Sequence, residues 1–340
     1  MTNSQKHILV IRLSAMGDVA MTVPVLRALS EQHPEVKITV LTKTFFKPFF
    51  RDLENVSVFG ADVKGKHKGV YGLYKLARQL NKGNRFYAIA DLHSVLRSKV
   101  LKKFIRGKRF VSIDKGRKEK RLLTSGKLFK QLKTTHQRYA DVFKTLGFPL
   151  DLTNPTFPKK AVLNQKLQLI LGEDSKKSIG IAPFATYESK MYPLDLMKQV
   201  IEALSKDYNI ILFGGGNYET ELLNGLENEF ENTTTIAGKL TLDEEMDVIS
   251  NLNAILSMDS GNAHIAAMLG VKVVTIWGVT HPFAGFTPFN QPEDYMLLSD
   301  RNQYPKIPTS VYGNKYPEHY KEASRSIAPE IIISKIKSII

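Results

Sequence analysis

The sequence predicts an α/β protein built from two Rossmann-like, doubly wound parallel-sheet domains facing across a cleft. Three observations carry that reading. At 340 residues the chain exceeds one ordinary domain. Short apolar runs alternate with helical patterns in two successive series. Between the series, residues 148–160 carry Pro149, Pro155 and Pro158, which reads as a linker or domain edge. A composition of 43% hydrophobic and 24% charged residues suits two cores.

Taken in order, residues 8–13 form a continuous apolar run, as a parallel strand covered on both faces requires. A helix follows in which Pro24 fits the first turn and Val23, Leu26 and Leu29 keep helical spacing. Gly17 and Asp18 then fall in the turn after the strand or in a short first turn. Residues 37–42, 86–91 and 109–113 are further strand candidates. The second series opens with a strand at 178–182. Its first helix starts at Leu194, with Met197, Val200 and Leu204 on the same face. Strand 209–213 runs into Gly214, Gly215 and Gly216, and a helix continues to Phe230. Strand 254–258, a helix near 262–269 and strand 273–277 follow, and an apolar-rich helix starts near Pro329.

Composition excludes several chemistries. The chain has no cysteine, which removes disulfides, thiolate nucleophiles and iron–sulfur clusters. No Asp-x-Asp pair occurs, and the eight histidines show no paired zinc spacing, so no metal is expected. The Gly-x-Ser-x-Gly elbow of serine hydrolases is missing too. No apolar run approaches the ~18 residues of a membrane span, and Arg12 interrupts the first run before a signal-peptide core develops. A cytoplasmic location is expected.

The net charge of +15 is concentrated. Residues 97–138 hold 16 Lys/Arg against Asp114 and Glu119, which leaves a near-neutral remainder. Such a segment attracts polyanions, or else it is simply a solvated face. It has few aromatic side chains for stacking bases, which speaks against nucleic acid. Val100, Leu101, Phe104 and Ile105 alternate with its lysines, as in a basic amphipathic helix lying on a membrane surface or an anionic ligand.

In open α/β sheets ligands bind beyond the carboxyl ends of strands, and four segments sit there. After the first strand, Ser14–Ala15–Met16–Gly17–Asp18 offers either a helix-capping Asp or a carboxylate able to take a proton from a hydroxyl. Gly214–Gly216 offers a tight turn or backbone amides for a phosphate, without a full dinucleotide or Walker spacing. Asp259, Ser260, Gly261 and His264 lie where a strand gives way to a helix. The hydroxyl and amides there suit a diphosphate, and an ordinary N-cap with a packed histidine is the alternative. Lys190, in the loop after strand 178–182, could neutralise a leaving phosphate or simply be solvated.

Together these residues resemble the family 9 glycosyltransferases, the ADP-heptose:lipopolysaccharide heptosyltransferases. The likeness rests on Gly17-Asp18 with Pro24, Asp91-Leu92-His93 with Arg97-Ser98, and Lys190-x-x-Pro193. It continues through residues 213–216 with Glu219, Asp259-Ser260-Gly261-x-x-His264, and Gly278-x-Thr280-x-Pro282. The resemblance implies a GT-B fold and an inverting, metal-independent transfer of heptose from ADP-heptose to an anionic lipopolysaccharide-core acceptor. It implies Asp18 as general base, with Lys190 and Thr186 on the donor phosphates beside the amides of Ser260 and Gly261. Gly214, Gly215 and Glu219 would hold the nucleoside, Glu219 at the ribose, and Asp259 and His264 would line the sugar–phosphate region. Ser14, Gly17, His93 and Arg97 would face the acceptor. Two departures stand out: Thr309 and Ser310 occupy a region where many relatives carry cysteines, and position 185 is Ala rather than a hydroxyl residue.

The expected organisation is an acceptor-binding domain over 1–155 containing the cationic segment 97–138, a nucleotide-sugar domain over 156–325, and a helix over 326–340 packing back on the first domain. Contact with the cytoplasmic face of an anionic inner membrane is expected. The rival functions are a GT-B transferase using another nucleotide-sugar and a non-catalytic polyanion-binding protein.

Overall fold

The computed structural model describes residues 6–172 and 176–340. The chain divides into two compact units, one running from the first strand to Lys115 and over Thr135–Thr156, the other comprising Gly116–Thr134 and Phe157–Ile340.

The first unit contains β1 (Lys6–Ile11), α1 (Met16–Ala20), α2 (Thr22–Gln32), β2 (Val36–Thr42), β3 (Val56–Gly60), α3 (Gly69–Asn81), β4 (Phe86–Asp91), α4 (Leu96–Lys102) and β5 (Gly107–Ser112). The chain then passes through α5 (Arg117–Thr124), which belongs to the second unit, and returns with α6 (Thr135–Leu146). The sheet order is β3-β2-β1-β4-β5, all parallel. Ile8, Leu9, Val10 and Ile11 are fully buried because β1 is central and covered on both faces.

The second unit continues with α7 (Gln165–Leu171), β6 (Ser178–Ala182), α8 (Leu194–Ser205), β7 (Asn209–Leu212), α9 (Asn217–Glu229), β8 (Thr233–Thr235), α10 (Leu242–Asn251), β9 (Ala254–Met258), α11 (Gly261–Met268), β10 (Lys272–Trp277), β11 (Met296–Leu298) and α12 (Pro329–Ile339). Its parallel sheet is ordered β11-β10-β9-β6-β7-β8. Both units are therefore doubly wound. Chain direction across the sheet reverses between β1 and β4 in the first and between β6 and β9 in the second.

The strands that periodicity did not reveal are β3, β8 and β11. All three are sheet edges, and two span only three residues. An edge strand has one neighbour and partial exposure, so it needs no continuous apolar run.

Three expectations are corrected. Residues 116–134, placed with the first domain because the proline-bearing stretch 148–160 was read as the domain edge, belong to the second unit. Leu123 and Leu132 form a small core there with Ala284, and the Leu132 N–H donates to Phe283 O at 3.0 Å. The C-terminal helix joins the second unit as well: Ile332, Ile336 and Ile339 are buried with Met197, Val200 and Ile201 of α8. Finally, Val100, Leu101, Phe104 and Ile105 do not form an outward apolar face. Helix α4 ends at Lys102, and Leu101 and Ile105 lie in the first unit's core at 0% and 8% exposure. Baring either side chain would forfeit about 2 kcal/mol of burial, so that face is unavailable to lipid.

Candidate functional site

Each reversal of the strand order brings two loops together beyond the carboxyl ends of the sheet, and several of the expected residues lie at each place.

In the first unit the loops follow β1 and β4. Arg12 continues β1 into the buried interior with 6% exposure. Its Nη1 donates to Leu92 O at 2.7 Å, and its Nη2 pairs with Asp18 Oδ2. The same carboxylate oxygen accepts the Ala15 N–H at 3.3 Å, so Asp18 closes the first turn of α1 in the manner of an N-terminal capping residue. Oδ1 has no protein partner among the described residues, and the side chain is 28% exposed. Asp18 thus both caps a helix and presents an oxygen outward. From α6 the buried Tyr139 donates its hydroxyl to Asp18 O at 3.2 Å, fixing the backbone there; burial raises that phenol well above its ordinary pKa. Ser14 and Gly17, both half-buried, complete the loop.

The β4 loop is organised by Asp91, whose carboxylate has no exposed surface. Its Oδ1 accepts the N–H groups of His93 (3.0 Å) and Ser94 (2.8 Å). His93 Nδ1 accepts the Leu13 N–H at 3.4 Å, joining the two loops. Burial, with a smaller contribution from the Arg12 cation, pushes the His93 imidazole down to about 4. It is therefore neutral at pH 7. Arg97 is exposed in the first turn of α4 and has no acidic partner among the described residues.

In the second unit the loops follow β6 and β9. The β6 loop makes a short 3-10 turn over Glu188–Lys190. Ser189 is fully buried; its carbonyl accepts the Val279 N–H at 3.1 Å and its hydroxyl donates to Gly313 O at 2.6 Å. Two glycines permit this approach. A Cβ on Gly278 would stand 2.1 Å from Ser189 O, and Gly313, at φ +81°, packs against the Lys190 stem. Lys190 Nζ so held lies 2.9 Å from Asp259 Oδ2, with the side chains 14% and 8% exposed. The buried Thr280 hydroxyl donates to the same oxygen at 2.9 Å. Ser260 is the N-cap of α11, its Oγ 3.2 Å from Ser257 Oγ, and Gly261 opens the helix. His264 is buried on the first turn.

Glu219 and the glycine turn form a separate group. The Gly215 N–H donates to Glu219 Oε2 at 2.8 Å, while Gly214 lacks room for a side chain against Leu223. Glu219 lines a cavity of about 360 Å³ with Phe184, Tyr192, Pro193 and Tyr218. The β6 loop thus serves both groups: Phe184 and Tyr192 wall the cavity while Lys190 reaches Asp259. Thr186 is exposed in this loop. Among the described residues no three His, Asp or Glu side chains gather as a metal site.

Sequence reasoning missed Arg12, although a cation ending an otherwise apolar strand was a usable signal. It quoted Thr280 only as part of a motif and missed Gly313 altogether. The absent cysteines have local replacements: Thr309 Oγ1 donates to Lys315 O at 2.7 Å and Ser310 Oγ accepts the Lys315 N–H at 3.3 Å, so two hydroxyls hold that loop.

The model of glycosyltransferase family 9 (heptosyltransferase) matches residues 73–316. The chain is 26% identical over 318 residues to the lipopolysaccharide core heptosyltransferase OpsX of Haemophilus influenzae, covering 88% of this chain and 87% of that protein. Among solved structures it resembles a family 9 glycosyl transferase from Veillonella parvula (TM-score 0.77, 19% identity, 100% of this chain and 98% of that one). It also resembles the E. coli heptosyltransferase WaaC with ADP (TM-score 0.73, 18% identity, 98% of this chain and all of that one). These likenesses assign the GT-B fold. The family match begins after Asp18, whose role therefore rests on geometry.

Proposed function

The chain belongs to glycosyltransferase family 9 and is a glycosyltransferase, and we propose that it transfers heptose from ADP-heptose to an anionic lipopolysaccharide-core acceptor, with inversion and without a metal ion. The relatives support this donor and acceptor: OpsX is a lipopolysaccharide core heptosyltransferase, and the E. coli heptosyltransferase structure contains ADP. Family membership sets aside a non-catalytic polyanion binder.

The observation that carries the mechanism is the half-pinned carboxylate of Asp18. With Oδ2 held by Arg12 and the Ala15 N–H, Oδ1 keeps a fixed direction and an open lone pair, as a base on an acceptor hydroxyl needs. One base and one departing group suffice for a single inverting displacement. On the leaving side, Lys190 and the amides opening α11 supply positive potential for a diphosphate. Asp259 already neutralises Lys190, so a donor phosphate must take Lys190 over from it. The cavity beside Glu219 suits the nucleoside.

Calorimetry with ADP-heptose, ADP and UDP tests the donor. Preference for the adenine compounds, weakened by Lys190→Ala, is expected. Equal affinity for UDP would favour the rival nucleotide-sugar donor.

The expected contact with an anionic membrane face on the cytoplasmic side is supported by the first unit's surface. Among the described residues no helix is long and apolar enough to span a membrane. Residues 63–113 contain fourteen Lys/Arg and a single acid, the buried Asp91. On α3, Val70, Tyr71 and Tyr74 are exposed, and Lys75 Nζ sits 4.5 Å from the Tyr71 ring centre. An exposed aromatic with a lysine beside it on a cationic surface suits an anionic bilayer. Co-sedimentation with phosphatidylglycerol vesicles, reduced in Val70→Ser/Tyr71→Ser, is expected; equal binding to neutral vesicles would remove the electrostatic part of the argument.

A further inference from the structure

A second cavity of the second unit, about 520 Å³, is formed where residues 116–134 pack beside the loop that follows β11. None of its lining residues belongs to the groups around Lys190 or Glu219. Three cations line it, Arg301, Lys306 and Lys315, and no Asp or Glu does. None of the three makes an ion pair with any described residue.

Arg301 is held in place. Its Nε donates to Ile307 O at 2.9 Å, and its guanidinium carbon lies 3.5 Å from the centre of the Phe129 ring. Phe129 in turn packs against His281 and Phe283. Both Nη groups remain without a protein hydrogen bond among the described residues. A guanidinium stacked on an aromatic ring and tied at one nitrogen is set up for two-point recognition of an oxyanion. Two further cations at a concave wall focus the field on the same space.

The volume exceeds what a lone phosphate needs and falls within the roughly 300–1000 Å³ of small-molecule sites. Half-buried Tyr316 and the Thr124 side chain add an apolar ring and a hydroxyl to the lining, a pairing that suits the mixed faces of a sugar. We propose that this cavity binds a phosphorylated sugar, the cations taking the phosphate and Tyr316 and Thr124 the ring. The inference goes beyond the function proposed above and does not rest on it.

The test is calorimetry on the full chain saturated with ADP, titrating glucose 6-phosphate, glucose and inorganic phosphate. Saturable binding of glucose 6-phosphate is expected, with glucose and inorganic phosphate each at least about tenfold weaker. Lys306→Ala/Lys315→Ala and, separately, Arg301→Gln should each weaken glucose 6-phosphate about tenfold or more, the scale of a lost charge-assisted contact, and leave ADP affinity unchanged. Binding that survives both variants would overturn the assignment, and so would no saturable binding in a protein that takes up ADP normally. Inorganic phosphate binding as tightly as glucose 6-phosphate would overturn the sugar part. Failure to bind ADP would count against the donor reading instead.

Discussion

The reversal points of the two sheets use the same topology for opposite purposes. Each brings a carboxylate and a cation together beyond the strand ends. In the first unit the cation, Arg12, is buried at the end of β1, and the carboxylate, Asp18, is the exposed partner with one oxygen open. In the second unit the carboxylate, Asp259, is buried and carries a second hydrogen bond from Thr280, while Lys190 is mounted on the loop. The first arrangement leaves a carboxylate oxygen outward; the second holds a lysine against a buried carboxylate. Which partner is anchored to the sheet decides which is free to meet a ligand.

The largest effect should come from the open carboxylate. Asp18→Asn keeps the shape of the cap and is expected to lower turnover about 10²–10⁴-fold with ADP affinity intact. Initial-rate assays of ADP release read this, and a variant within tenfold of the native rate would end the comparison, since Asp18 would then be only a cap. Lys190→Ala should lower kcat/KM by about 10²–10³ and also destabilise the fold, because Asp259 is left buried without its cation. Lys190→Ala/Asp259→Asn separates the two: thermal unfolding should recover much of the lost stability while turnover stays low. Recovery of turnover in the double variant would show that Lys190 serves only to neutralise Asp259.

Gly278→Ala probes the mounting of Lys190. A methyl 2.1 Å from Ser189 O must displace the loop, with an expected cost of about 1–3 kcal/mol in denaturant melts and weaker ADP binding. An unchanged melt would mean the loop yields freely.

The smallest effect is a pH slope. His93 and His281, one in each unit, are both held near 4, chiefly by burial. Their folded pKa values lie below the ordinary 6.5, so the unfolded chain binds more protons between about 6.5 and 4. The stability tied to neutral imidazole is complete above that window and is lost as pH falls through it. Glu245, raised to about 7 by burial, opposes the slope in the upper part of the range. Replacing either histidine with Gln should flatten the acid side of a stability–pH profile; an unchanged slope in both would show that these imidazoles do not set it.

Much of both sites was legible in the sequence because parallel strands announce themselves. Buried on both faces, β1, β4, β6 and β9 read as apolar runs, and Asp18, Lys190 and Asp259, in the loops after β1, β6 and β9, become candidates by position, while His93 after β4 entered through the family likeness. The short edge strands were invisible for the complementary reason. The cationic stretch misled in a specific way: alternation of Val100, Leu101, Phe104 and Ile105 with lysines describes a core-facing turn as well as a lipid-facing helix, and Leu101 and Ile105 proved to be core.

Sequence alone therefore determined the α/β class, two doubly wound series, the strand-end segments proposed to bear the chemistry and the family they resemble. These follow from local periodicity and from residues adjacent in the chain. Only the tertiary structure decided that Arg12 serves Asp18, that Lys190 meets Asp259 and Thr280, that Gly313 packs on Lys190, and that residues 116–134 and α12 belong to the second unit. Except for the Arg12–Asp18 pair, those partners are drawn from segments tens of residues apart, brought together by the order of strands in a sheet. That order is set by crossover and packing across the whole unit, and no window of sequence contains it.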